Sequence, residues 1–269
     1  RSTESSRASA SAGSRPSRRS ARDTSTSRSA EETFRSASSG SKAAAVAAAL
    51  NGFAHGGQVL LGHNLKRHDL PLMQAQLPHL DCLRWPVVDT LELSALAFPS
   101  NPYHRLVKGY KLLSDERNNP TKDAQVALNI FEEAVEALLE TNEQEPWWLT
   151  LLYFLMRHDE SMATLLTQVR EETAPTAEGI GDVIASRFAD RCCATRLQKL
   201  ADDIVSASDS SDPWTVTFAL GWIRVAGGNS ILPHWVFHEL PVVRQLIAEL
   251  REIDCGQADC QYCRQNHNP

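Results

Sequence analysis

The sequence predicts an α/β domain, then a helix-dominated region, then a cysteine-rich end. Three observations carry this. Short apolar runs alternate with helix-like segments between Gln58 and Ala95, the pattern of a sheet with crossover helices. From Trp147 to Leu250 the apolar spacing is helical, with no convincing strand alternation. Three of the six cysteines fall within the last fifteen residues.

Taken in order, residues 1–42 contain fifteen Ser and, apart from Phe34, no large apolar residue. Such a segment buries too little surface to offset its conformational entropy, so disorder is expected. The chain starts with Arg rather than Met, and an Arg/Ser/Ala-rich stretch is also what an out-of-frame reading of a GC-rich gene produces. From Ala43 to Ala54 an Ala-rich run predicts a helix, ended by Gly56-Gly57. Gln58–Leu61 reads as a buried strand stopped at Gly62, and Leu65–Leu77 as a helix. Trp85–Leu91 reads as a second strand running into Glu92-Leu93-Ser94-Ala95. Asp123–Leu139 is the clearest amphipathic helix, with Val126, Ile130, Ala134, Ala137 and Leu138 on one face. Polar Glu140–Pro146 reads as a linker. Trp147–Gln168, Ala177–Ala207 and Pro213–Leu250 read as helix-dominated stretches.

The composition is that of a soluble globular protein, 42% hydrophobic and 22% charged. No apolar run approaches the ~18 residues of a membrane span. No signal-peptide pattern opens the chain, and cysteines clustered as if for metal suit a reducing compartment, so a cytoplasmic location is expected. Net charge is −6, unevenly spread. Residues 1–42 hold eight Arg and one Lys against four acids, a net of +5, which leaves −11 for the remainder. A basic arm at the start could touch phosphates, but global charge offers no support for nucleic-acid binding.

Two segments place carboxylates where a strand or turn feeds a helix. One is Gly62-His63-Asn64 followed by Asp69, the other Asp123-Ala124 opening the amphipathic helix. By itself each is also a capped turn with a solvated Asp. Together with Val87-Val88-Asp89-Thr90-Leu91 they resemble the exonuclease domain of DnaQ-like (DEDD) 3′–5′ exonucleases, an RNase H-like fold. A narrower resemblance rests on Asn101–Tyr110, on Gly221-Trp222 through Ala226–Ser230 and on the cysteine-rich end. These resemble the N-terminal part of bacterial RecQ-type ATP-dependent DNA helicases that carry such a domain. The resemblance spans Ala44 to Pro269.

It implies a fold incomplete at its N-terminus, two-metal hydrolysis with Mg²⁺ or Mn²⁺, a DNA partner presented as single strands or 3′ ends, and a helicase domain downstream. Two-metal sites hold hard cations about 3.5–4 Å apart on carboxylate oxygens. The resemblance assigns Asp69 and Asp123 to catalysis and metal, and His63 and Asn64 to the nucleic-acid strand. Two departures matter. The family's Asp-x-Glu pair is absent, since Glu4, Asp23, Glu31 and Glu32 are the only acids before Gly62 and none has that spacing. The family's general base, five or four residues before the last Asp, falls on Asn118 or Asn119. An amide has no basic lone pair to take the water's proton. His104 has the wrong spacing for that role.

At the end of the chain Cys255, Cys260, Cys263 and His267 are spaced C-x4-C-x2-C-x3-H. Three thiolates and an imidazole suit tetrahedral Zn²⁺ in a closed, structural site. A reduced, solvated tail or an iron–sulfur cluster is the alternative. Cys192-Cys193 lies on an expected helix and reads as core. The tryptophans Trp147, Trp148, Trp214, Trp222 and Trp235 read as core rather than base-stacking platforms. Gly40-Ser41-Lys42 lacks the rest of a Walker phosphate loop. The expected organisation is a disordered 1–42, an exonuclease-like 43–142, a helical connector 146–250 and a zinc segment 251–269. Functionally this predicts an impaired exonuclease-like part of a helicase; a catalytically silent single-stranded DNA module and an unrelated helical interaction protein are the alternatives.

Overall fold

The computed structural model describes residues 42–101, 120–170, 175–206, 212–225 and 232–267. Several sequence expectations fall outside them: residues 1–41, Pro102–Tyr110 with His104, the base positions Asn118 and Asn119, and Ala226–Ser230. The described residues are mostly helical, with a small two-stranded parallel sheet.

Helix α1 (42–53) ends in a turn at Gly56, whose φ of 87° a side chain rarely adopts. Strand β1 (Leu60–Gly62) leads into a π-helical turn, Leu65–Asp69, and then α2 (Leu70–Gln76). A 3₁₀ turn, Asp81–Arg84, precedes β2 (Val87–Asp89). The strands pair in parallel with Leu60 opposite Val87 and Gly62 opposite Asp89. The second strand is shorter than its apolar run because Asp89 caps the next helix. Its carboxylate accepts from Leu91 N at 3.0 Å, so Thr90 and Leu91 open α3 (Thr90–Ala97) instead of extending the sheet.

Helix α4 (Pro120–Gln144) buries Val126, Ala127, Ile130, Ala134 and Leu138, a 3.6-residue stripe. The expected linker at 140–146 is not there. Residues 140–144 are the last turn of α4, and Glu145 alone separates it from α5 (Pro146–Met156). Two of the polar side chains that suggested a linker bond to backbone instead. Thr141 Oγ1 donates to Ala137 O at 2.7 Å, and Asn142 Nδ2 to Val169 O at 3.4 Å.

Helix α5 is apolar on most sides because it is surrounded, packing against α4, α6 (Glu160–Arg170), α7 (Ala177–Arg187) and α9 (Pro213–Arg224). Its Trp148, Leu149, Leu151 and Leu152 are fully buried. Each such side chain contributes roughly 1.5–3 kcal/mol of burial. Helices α8 (Ala194–Val205), α10 (His234–Glu239), α11 (Val242–Arg251) and α12 (Gln261–Asn266) are the remaining helices among the described residues. One hydrophobic cluster runs from Val88 through Leu93, Leu138 and Trp148 to Leu250, so core from both sides of residue 146 is shared. All five tryptophans of the helical region lie in or against that cluster. A smaller cluster of Ala47, Leu80 and Cys82 seats α1 against the turn before β2.

Candidate metal centre

Two places gather functional side chains: the C-terminal edge of the sheet and the cysteine-rich end. At the sheet edge the organising group is a buried carboxylate. Asp89 Oδ1 accepts from Asn64 N at 2.8 Å and Oδ2 from Lys66 N at 3.0 Å, in addition to capping α3. These bonds hold the 63–66 turn, in which Asn64 takes φ 58°, a left-handed conformation that Asn tolerates better than most residues. Thr90 Oγ1 donates to Gly62 O at 3.2 Å and lies 3.0 Å from His63 Nδ1. The hydroxyl has one proton, so His63 Nδ1 donates to its remaining lone pair. His63 and Asn64 therefore sit side by side at the end of β1.

The turn is also anchored from the helical region. Lys66 Nζ lies 2.9 Å from Glu92 and 3.4 Å from Asp159, and Arg67 lies 2.9 Å from Glu92. Lys66 packs over Trp214 and Arg67 over Trp235, with ring centroids at 5.2 and 4.7 Å. Burial alone would lower the Lys66 pKa, but the charges of Glu92 and Asp159 outweigh it and hold it above its ordinary value. Burial raises Glu92 despite Lys66 and Arg67. Asp159 is opposed by burial, yet hydrogen bonds from Ser161 and the Lys66 charge bring it below its ordinary value.

Asp69 closes the π-helical turn with its side chain 54% exposed, His68 Nδ1 at 3.3 Å. Asp123 lies half-buried in the first turn of α4, which packs against β1. Neither belongs, among the described residues, to a group of three or more His, Cys, Asp or Glu side chains that could share an ion. Two carboxylates are a thin donor set for a pair of hard cations, and a Mg²⁺ site there has no further support.

The cysteine-rich end is different. Four sulfurs, from Cys193, Cys255, Cys260 and Cys263, all lie within 4.8 Å of one another and could hold a metal ion such as zinc. None is in a disulfide. Cys193 is the N-cap residue of α8, and its N–H donates to Leu250 O at 2.8 Å, joining the start of α8 to the end of α11. After α11 the chain turns at Gly256, φ 73°, whose N–H donates to Asp254 Oδ1 at 2.9 Å. Cys260 then caps α12, and the two-residue spacing sets Cys260 and Cys263 on one side of its first turn. Tyr262 fastens this helix to α11. Its hydroxyl donates to Arg251 O and accepts from Arg251 Nε, each at 3.2 Å.

The thiols perturb one another strongly. Burial would raise Cys260, but hydrogen bonds from the Cys263 and Ala194 backbone and from the Cys263 and Cys255 thiols bring it to about 7. Burial, with the neighbouring thiols, pushes Cys263 up to about 12. Cys260 is thus eased toward the thiolate while burial holds Cys193 and Cys263 back, which a bound cation would relieve.

The sequence expectation differs here in one member. His267 is not in the group; its ring lies edge-on to Tyr262, centroids 6.1 Å apart, and its buried Nε2 has no hydrogen-bond partner among the described residues. Cys193, read as core, stands in its place. Its neighbour Cys192 is core, fully buried, with its thiol donating to Phe188 O at 3.4 Å and its pKa pushed up by burial to about 12. Successive residues at a helix start point in different directions, so the pair divides between two environments. Comparison with family models, curated proteins and solved structures finds no match to this chain. Among the described residues no helix is long and apolar enough to cross a membrane.

Proposed function

We propose that this chain is an exonuclease-like, DNA-binding module, the N-terminal part of a RecQ-type DNA helicase, and that it hydrolyses DNA poorly. The observation that carries the reading is the sheet edge. In open α/β sheets ligands bind outside the carboxyl ends of parallel strands. His63 and Asn64 lie at that end of β1, fixed by Asp89 and Thr90 at the end of β2, with Asp69 five residues further on. An extended strand with a free 3′ end suits a polar edge of this kind. In this reading Mg²⁺ or Mn²⁺ belongs to Asp69 and Asp123, and Zn²⁺ to the thiol-rich end in a structural role.

Weak hydrolysis follows from the donors. A pair of Mg²⁺ ions brings four positive charges, and Asp69 with Asp123 returns two negative ones. The absent Asp-x-Glu pair leaves the ions underneutralised and the attacking water without its orienting carboxylate. Loss of a general base costs roughly a further 10²–10⁴-fold. DNA binding therefore outlasts catalysis.

The test is a labelled single-stranded oligonucleotide with Mg²⁺ or Mn²⁺, comparing this chain with an Asp69→Ala, Asp123→Ala double variant. Binding with trace trimming, or none, is expected from both. Robust 3′–5′ trimming that vanishes in the double variant overturns the claim of impaired catalysis. No binding even at low salt favours an interaction protein unrelated to nucleases.

A further inference from the structure

We infer that Cys193, Cys255, Cys260 and Cys263 form a single-ion, tetrahedral, all-thiolate Zn²⁺ site that clamps the end of the chain onto the helical core. The inference deepens the zinc part of the reading above and is independent of nucleic-acid binding.

The spacing of the sulfurs sets the size of what fits. One tetrahedral ion with metal–sulfur bonds of about 2.3 Å holds its four sulfurs about 3.8 Å apart. Cys193 and Cys260 are 4.0 Å apart, and all six separations are at most 4.8 Å. A four-iron cluster binds each thiolate to a different corner of a cube, which forces the sulfurs much wider than this. The chemistry agrees: four soft thiolates select zinc over magnesium or calcium. With four protein donors no coordination position is left for water, so the site is structural.

The donors come from two separate parts of the chain. Cys193 sits at the start of α8 with its N–H fixed on α11, while the other three arrive on a loop and one short helix after α11. The apolar support for that end is small: Tyr262 and the cysteines themselves form its cluster, apart from the main core. Below a sizeable core a bound metal supplies the missing stability. Zinc here therefore fixes residues 252–267 and leaves the main core independent of the ion. Binding displaces the thiol protons, one per cysteine still protonated, so the four thiolates outweigh the ion's charge by two.

The experiment uses the whole chain, purified without chelators, and measures zinc and iron by elemental analysis in wild type, Cys193→Ser, His267→Ala and Cys192→Ser. The expected result is about one Zn²⁺ per chain in wild type, His267→Ala and Cys192→Ser, and little in Cys193→Ser. Because Cys193→Ser could also disturb α8, wild type is exchanged with Co²⁺, whose sulfur-to-metal absorption distinguishes four thiolates from three. Removal of the ion is expected to expose residues 252–267 to protease while helical circular dichroism persists. Zinc lost in His267→Ala but kept in Cys193→Ser, or a three-thiolate Co²⁺ spectrum, overturns the ligand assignment while leaving a zinc segment. Wild type with no zinc, or with iron and a brown chromophore, overturns the zinc site itself.

Discussion

Replacing Glu92 with Ala removes the carboxylate on which Lys66 and Arg67 converge, each at 2.9 Å. Glu92 is only 5% exposed, and breaking a buried ion pair by deleting one partner costs about 3–5 kcal/mol. Two features reduce that here. Both cations are 26% exposed and keep part of their hydration, and Lys66 retains Asp159 at 3.4 Å. A loss of about 2 kcal/mol is expected, or about 4–8 °C in Tm. The assay is urea denaturation followed by circular dichroism on zinc-loaded protein. Because burial holds the Glu92 pKa up even beside two cations, the ionised pair carries a net desolvation cost. Lys66→Met with Glu92→Met should therefore recover part of the loss. An unchanged midpoint in Glu92→Ala, or a double variant worse than the sum of its single changes, would refute this account of the turn.

Asp89→Asn keeps the shape but turns one acceptor into a donor facing Lys66 N–H, at an expected cost of about 2–3 kcal/mol and with faster amide exchange at Asn64, Lys66 and Leu91. Unaltered exchange at those amides would contradict it. Gly57→Ala would set a Cβ 2.6 Å from the Trp85 ring, so thermal melting should show a loss of about 1–3 kcal/mol; an equal Tm would mean the ring moves freely. Asp159 has a folded pKa below its ordinary 3.8, so its contribution is present above pH 3.8 and lost as pH falls through the lower, folded value. Asp159→Asn should be less stable near neutrality and flatter over that acid window, as acid titrations at fixed urea can show.

What could be read from the sequence was local. The α4 stripe from Val126 to Leu138 follows from 3.6-residue spacing, and the helix covers it. The strand ending at Gly62 was legible from its apolar run, although it is half-buried rather than buried, and ordered pairing starts only at Leu60, leaving Gln58 and Val59 exposed. Less legible was the end of β2, where an apolar pattern continues through Leu91 but the Asp89 side chain turns it into a helix. The 140–144 turn misled because polar residues on a helix end bond to carbonyls as readily as to water. Cys193 could not be found by spacing, since it lies 62 positions before Cys255 and local motifs see only neighbours. The available hint was the Cys192-Cys193 pair, because successive side chains leave the backbone in different directions and can serve two environments. The roles of Glu92 and Asp159 as partners of Lys66 were likewise invisible, since both depend on tertiary contact.

The central claim is that DNA lies across His63 and Asn64 at the end of β1. Fluorescence anisotropy of a 3′-labelled single-stranded oligonucleotide, titrated with this chain at low and moderate salt, tests it most directly beside a His63→Ala, Asn64→Gly variant. Glycine keeps the positive φ at position 64, so the turn is preserved while its side chains are removed. The account predicts salt-sensitive binding by the wild type and about tenfold weaker binding by the variant, the equivalent of about 1.4 kcal/mol. Equal affinity of the two proteins, or no binding by the wild type at low salt, would contradict it.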